Sequence, residues 1–352
     1  MAAGTLKIGA VALSDPVALA PMAGMTDSAF RRLVKRRGGC GLVVTEMVSS
    51  EGLVRGIDRT LEYAEYTEEE RPISVQIFGG DPEKMASAAK VVEQLGADIV
   101  DVNMGCPVPK IARHNAGCSL MREPEHAQSV VAAMTKAVTI PVTVKMRAGW
   151  DATEINAPEM AKRMQDAGAA AIAVHGRTAA QSYSGFSDWE LIAGVASAVS
   201  IPVFGSGDCV EPAQLVEKLQ DGRVSGVLVG RGALRNPWIF EQAATIARGE
   251  RPRPIAMAER GQFLLDYVDM LVHERNGESE GFRHVAPAIE RDVVARGHDR
   301  WVINKLRALN SWYTKGLDNG SHLRTAINSA ESLSHLREII TEFFGVAVSA
   351  SL

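Results

Sequence analysis

Cys106 closes an apolar run, "IVDVNM" from Ile99, and sits between Gly105 and Pro107. Lys110, Arg113 and His114 follow within a few residues. A thiol in this position is either an inert packing residue, the common fate of cysteine, or a group held at the end of a strand for chemistry. Seven other apolar runs also end in polar side chains: Met22 with Gly24, Glu46, Gln76, Lys145 with Arg147, His175 with Arg177, Ser206 with Asp208, and Arg231. Asn103 stands beside the thiol in the same way. Gln, Lys and His at the ends of buried strands are costly unless paired or used. Together they describe a ligand with many hydrogen-bonding edges. The last two runs end in "GSGD" at Gly205 and "GRG" at Gly230. Glycine-rich turns of this kind expose backbone N–H groups to an anion, so the ligand is expected to carry a phosphate.

The elements that bring these groups together are legible. The runs start at Pro16, Leu42, Ile73, Ile99, Pro141, Ala171, Ile201 and Gly226. Several are continuous rather than alternating, the pattern of strands buried on both faces. Helical stretches such as "PEKMASAAKVVEQLG" and "APEMAKRMQDAG" lie between them and end in glycine, a C-cap signal. Eight successive βα units predict a (β/α)8 TIM barrel, with an open doubly wound sheet as the alternative. In such barrels the active site lies at the C-terminal ends of the strands, and the loops after strands seven and eight are the usual phosphate site. Residues 1–248 are assigned to this barrel. Asn236 and Pro237 read as N-cap and first residue of a helix, and "RPRP" at Arg251 reads as a linker. Residues 255–352 form a C-terminal all-α domain. The stretch 276–299 reads as a loop or frayed helix within it. Between Arg296 and Arg324 there are six Lys/Arg (Arg296, Arg300, Lys305, Arg307, Lys315, Arg324) against Asp299 and Asp318, a local excess of 6 − 2 = +4.

The whole chain of 352 residues has a formal net charge of −4, so its overall balance does not announce nucleic acid. A local basic face is compatible with that total. Cys40, Cys106, Cys118 and Cys209 show no paired or metal-ligand spacing and read as reduced thiols of a cytoplasmic protein. The N-terminus lacks a secretory pattern, and no run reaches the length of a membrane span.

The motifs "APMAGMTDSAFRRL", "EMVSSEGL", "VQIFGGDPEKMA", "VDVNMGCPVPKIARHNAGCSLM", "VTVKMRAGW", "AVHGRT", "GDCVEPAQ", "LVGRGALRNPWIF" and "SWYTKGL" occur in this order along nearly the whole chain. They resemble the tRNA-dihydrouridine synthase family, specifically its bacterial B-type branch. The N-M-G-C-P run followed by K-x-x-R-x-x-x-G carries most of the specificity. The resemblance implies a barrel that holds FMN, a helical domain that grips tRNA, and reduction of a D-loop uridine to 5,6-dihydrouridine by NADPH or NADH. It implies no stable protein partner, so a monomer is expected.

Under this resemblance Cys106 is the catalytic acid: flavin N5 delivers hydride to C6 of uracil and the thiol protonates C5. A thiol of ordinary pKa, about 8.5, is protonated at neutral pH and needs no special tuning. Lys145 would face the pyrimidine edge of the flavin, with a rim salt bridge as the structural alternative. Gln76 would match the flavin O4/N3 edge, or simply satisfy the barrel interior. Pro21, Met22 and Ala23 would line the flavin face or pack the core. His175, Ser206, Gly207, Asp208, Gly230 and Arg231 would hold the ribityl and phosphate groups, Asp208 by orienting the loop because its charge repels phosphate. Asn103, Lys110, Arg113, Arg177 and Arg307 would meet the tRNA. Cys118 and Cys209 read as packing.

The chain departs from the family pattern twice. Ser206-Gly207-Asp208 replaces the usual N-G-D, and Arg307-Ala308-Leu309 replaces R-K-H ahead of Trp312 and Tyr313. Two alternatives follow. A small-molecule ene reductase or dihydroorotate-type dehydrogenase would share barrel and flavin, but not the added basic helical segment. An RNA-binding protein without flavin would explain Ser206, but not the joint presence of Cys106, Lys145 and Gln76.

Overall fold

The computed structural model describes residues 5–112, 115–273, 278–285 and 298–346. Eight parallel strands form a closed barrel: β1 Val17–Leu19, β2 Leu42–Val44, β3 Ile73–Phe78, β4 Ile99–Met104, β5 Val142–Arg147, β6 Ala171–His175, β7 Val203–Ser206 and β8 Gly226–Val229. Each pairs with the next in chain order, and β8 pairs with β1 to complete the ring. The eight apolar runs of the sequence are these strands.

Their period of two separates two cores. Ala18, Leu42, Val44, Ile99, Ala171, Phe204 and Leu228 face inward with Ile8 and Leu13. Val17, Leu19, Val43, Val75, Val102, Val144, Val174 and Val229 belong to an outer core under the helices. Apolar residues on both faces make the strands read as continuous runs. An N-terminal hairpin, Lys7–Ile8 with Val11–Ala12, supplies Ile8 to the inner core. A Cβ on Gly9 of this hairpin would fall 2.8 Å from Pro141, which precedes β5, so the hairpin stands at the N-terminal mouth.

The helices Pro82–Gln94 and Ala157–Asp166 begin on a proline in the first turn. They end at Gly96 and Gly168, whose φ values of +80° and +94° favour glycine. The sequence reading of Asn236 is corrected. Asn236 closes the short helix Arg231–Arg235, and the next helix is Ile239–Ala247. Asn236 precedes proline, which disfavours helical backbone there, so its extended conformation separates the two helices.

Residues 250–256 form no helix or strand. Helices Met257–Val272, His298–Tyr313, Gly320–Ser329 and Leu333–Phe344 follow. Phe263 stacks on Tyr313 (5.6 Å between centroids) and meets Phe30 edge-on at 6.0 Å. Arg37 lies 4.4 Å from the Phe263 ring and 4.9 Å from that of Trp238. These contacts join the C-terminal helices to the barrel's outer core. Between 276 and 299 the described stretch 278–285 is turn and coil, as a loop would be, apart from the short strand Arg283–His284. Arg283–His284 pairs antiparallel with Tyr66–Thr67, and His284 stacks on Tyr66 at 4.6 Å. The two pairs form a two-stranded sheet separate from the barrel. Among the described residues no helix is long and apolar enough to cross a membrane.

Candidate active site

Inward positions of neighbouring strands form layers that climb toward the C-terminal mouth. Gln76, Asp101 and Thr143 share one layer, Asn103 and Lys145 the next, and Arg147, His175 and Ser206 the uppermost. A chain of hydrogen bonds crosses the first two. Thr143 Oγ1 and Gln76 Nε2 donate to Asp101 (2.6 and 2.7 Å), and Asn103 Nδ2 donates to Gln76 Oε1 (2.7 Å). Burial raises the Asp101 pKa, against the opposing hydrogen bonds from Gln76 and Thr143 and the charge of Lys145. Burial, then Arg147, push the Lys145 ammonium down to about 8. Lys145 has no hydrogen-bond or ion-pair partner among the described residues, unlike every other polar group of these two layers.

Cys106 hangs from the top of this chain. Asn103 Oδ1 accepts from the amides of Gly105 (3.1 Å) and Cys106 (2.9 Å), and Arg147 Nε donates to the Gly105 carbonyl (2.8 Å). The Cys106 carbonyl accepts from Cys118 N at 3.1 Å. Gly117 makes that approach possible: its φ is +62°, and a Cβ would fall 2.7 Å from the Cys106 carbonyl oxygen. The thiol is half-buried, and burial pushes its pKa up against the weaker pull of the Val108 backbone N–H, Arg147 and Lys145. Cys118 and Cys209 are buried packing residues.

The opposite side of the mouth is built from the turns after β6, β7 and β8. Asp208, at φ +58°, accepts from Arg177 (2.7 and 2.9 Å) and Ser187 N (2.6 Å), and lies 3.6 Å from Arg231. Its carboxylate therefore ties three turns together. The amides of Gly207 and Asp208 have no backbone partner among the described residues. Arg231 lies between the rings of Tyr183 (4.7 Å) and Trp312 (5.8 Å). Burial and the cations Lys145, Arg147, Arg177 and Arg231 push His175 down to about 2. Its Nε2 lies 3.3 Å from Arg177 Nη1. A guanidinium only donates, so Nε2 accepts and the ring proton sits on Nδ1.

Pro21, Met22 and Ala23 lie on the turn after β1. Met25 N and Thr26 N donate to the Met22 carbonyl. Met22 Sδ is 3.5 Å from the position a Cβ on Gly230 would take, so this turn meets the β8 turn. Glu46, after β2, accepts from Gly24 N, and Lys305 of the C-terminal helix donates to the Gly24 carbonyl at 3.3 Å.

The residues expected to meet tRNA divide. Arg177 is 2% exposed and its guanidinium serves Asp208, His175 and the carbonyls of Ser184 and Gly185. Asn103 is likewise buried and occupied by Gln76 and the Cys106 turn. Arg307 donates to Ala330 O (3.0 Å), bracing two helices. Lys110 belongs to the short helix Pro109–Ala112, and Arg113 lies outside the described residues. Sequence reasoning assigned no role to Arg147, although it stands two residues after Lys145 on the same face. Nothing in the sequence marks Lys305 as a neighbour of β1 and β2.

Residues 18–333 match the family described as Dihydrouridine synthase (Dus). This chain belongs to the dihydrouridine synthase family. A "Probable tRNA-dihydrouridine synthase" of Rickettsia bellii is 38% identical over 342 residues, 96% of this chain and 98% of that one. The "tRNA-dihydrouridine synthase B" of Xanthomonas campestris is 36% identical over 345 residues, covering 98% and 97%. Among solved structures, morphinone reductase shares the fold with a TM-score of 0.52 and 14% identity, over 71% of this chain and 91% of that one. The complex of TcOYE with pHBA gives 0.52 and 13%, covering 71% and 94%.

The residues at the mouth of this chain fit a flavin that carries a phosphate. Lys145 brings an unpartnered ammonium to the mouth, and Gly207 and Asp208 bring unpartnered amides beside Arg231. Gln76, by contrast, has both ends of its carboxamide occupied within the barrel.

Proposed function

We propose that this chain reduces a D-loop uridine of tRNA to 5,6-dihydrouridine, with FMN at the barrel mouth. The observation that carries the reading is a protonated thiol, Cys106, held over the same mouth as the unpartnered ammonium of Lys145. The relatives' printed names supply the substrate class. Hydride chemistry at the uracil would come from a flavin bound there and reduced by NADPH or NADH. The rest falls to the protein. Burial keeps Cys106 as S–H, so the thiol holds the proton that C5 takes up, and the resulting thiolate is reprotonated from solvent. Lys145 would hold the pyrimidine edge of the flavin and place a positive charge there. Arg231 and the amides of Gly207 and Asp208 bind phosphate, while neutral His175 offers Nδ1–H as a donor. Ser206 takes the place of the family's asparagine with a shorter hydroxyl. Residues 255–352 form the tRNA-binding part, with Lys110 and Arg113 placing the backbone of a polyanion so that one extruded base reaches the thiol.

The test is the purified protein's visible spectrum before and after anaerobic NADPH, then product analysis on natural tRNA. A flavin spectrum that bleaches, with Cys106→Ala retaining flavin and yielding no dihydrouridine, is the expected result. A colourless protein that takes up no FMN refutes the cofactor, and wild-type yield from Cys106→Ala refutes the acid.

A further inference from the structure

The bonds beneath Cys106 pass through two carboxamides in series, Gln76 and Asn103. Each carboxamide has a donor side and an acceptor side, so a series of two can run in either direction unless its ends are pinned. Both ends are pinned here. The upper end is the pair of backbone N–H groups of Gly105 and Cys106, which only donate. The lower end is the carboxylate of Asp101, which only accepts and is already occupied on its other oxygen by Thr143. Asp101 is 5% exposed and lies one layer below Asn103 and Lys145, away from the open mouth.

We propose that Asp101 is a positioning residue for Cys106: its carboxylate sets the polarity of the Gln76 and Asn103 carboxamides, and through them holds the Gly105-Cys106 turn in place. The inference rests on Cys106 being the proton donor. Without an acceptor at position 101, the Gln76 NH2 loses its partner and the carboxamide is free to turn. A turned Gln76 presents its NH2 to the Asn103 NH2, donor to donor, so Asn103 loses its support from below and is held only by the Gly105 and Cys106 amides. The turn that carries the thiol then keeps its carbonyl contacts to Arg147 and Cys118 but loses a fixed acceptor for its two amides.

The two obvious substitutions separate polarity from charge. Asp101→Asn keeps the chain direction, because its oxygen accepts from Gln76 while its NH2 donates to the Thr143 hydroxyl. Asp101→Val removes the acceptor at similar size. The readout is alkylation of Cys106 by iodoacetamide in the full chain from neutral to alkaline pH, with Cys106→Ser as the blank, since the other three thiols are buried. Asp101→Asn is expected to follow wild type. Asp101→Val is expected to titrate nearer the free-thiol value of about 8.5 and to react about tenfold faster at mildly alkaline pH. With tRNA, Asp101→Val should lose kcat while KM for tRNA stays within about twofold, as for a group that does not bind substrate. Should Asp101→Val not fold, Gln76→Leu removes the middle link and must give the same alkylation shift. Wild-type alkylation in Asp101→Val or Gln76→Leu overturns the proposal. So does equal impairment of Asp101→Asn and Asp101→Val, which would assign the effect to charge beside Lys145. A Cys106→Ala protein that still makes dihydrouridine would remove the thiol from the chemistry while leaving the alkylation result intact.

Discussion

Lys305 Nζ lies 3.0 Å from Asp27 Oδ2, and so ties the helix His298–Tyr313 to the turn after β1. The same ammonium is 3.4 Å from Glu46 Oε1 and reaches the Gly24 carbonyl. Asp27 also caps the helix Ser28–Arg37 through Phe30 N and accepts from Tyr267 Oη at 2.7 Å. Burial alone would lower the Lys305 pKa; Asp27 and Glu46 outweigh it and raise the value. One cation from the C-terminal part thus neutralises two carboxylates at the rim where Met22 and Ala23 stand.

Replacing Lys305 by Met leaves those carboxylates buried without a cation. Loss of one partner from a buried ion pair costs on the order of 3 kcal/mol. Urea unfolding should show that loss, and FMN should bind more weakly because the Gly24 turn is released. Lys305→Arg should recover part of both. The raised folded pKa fixes the pH window: the contribution is complete below the unfolded lysine value of about 10.4 and disappears only as pH rises through the folded value. The cost of the Met substitution should therefore be constant from neutral to mildly alkaline pH.

His175 predicts acid sensitivity of the opposite kind. Its folded form stays neutral down to about pH 2, whereas the unfolded chain takes up a proton near its ordinary value. Below about pH 6.5 the unfolded state binds more protons, so stability falls by up to about 1.4 kcal/mol per pH unit from this group. Urea midpoints at neutral pH and at about pH 5 should differ more in wild type than in His175→Gln. Equal slopes in the two proteins would contradict the neutral, buried imidazole.

Gly207 has φ +123°, and a Cβ there would fall 2.3 Å from Ser187 Oγ, 2.5 Å from Ser187 Cβ and 3.1 Å from His175 Cδ2. Gly207→Ala must displace the β7 turn from both neighbours. Strain of this kind costs about 1–3 kcal/mol. If the turn holds phosphate, most of that cost should appear as a roughly tenfold weaker FMN affinity, measured by flavin fluorescence titration. A variant with unchanged affinity would separate this turn from the cofactor.

The barrel was legible because each strand writes its environment into its own residues. β-branched and aliphatic runs mark the strands, and the shift to Gln, Asn, Lys and His at their ends marks the mouth. The Cys106 turn was legible for the same local reason. Direction was not. Arg177 reads as a free cation in the sequence, yet the turn after β7 brings Asp208 to it and the guanidinium is consumed. Lys305 counts toward a basic segment in the sequence, but its partners come from Asp27 and Glu46 at the far end of the chain. The strand Arg283–His284 is too short to show a period, and its partner Tyr66–Thr67 lies far from it along the chain.

The outer core has a consequence for how this molecule comes apart. Val17 and Leu19 of β1 belong to the same apolar cluster as Phe263, Leu306, Ile327 and Phe344 of the C-terminal helices. The segment 250–256 therefore joins two stretches of chain that share one interior. Cutting it would sever a covalent tether without liberating a fragment, and heating should melt barrel and helices in one cooperative transition.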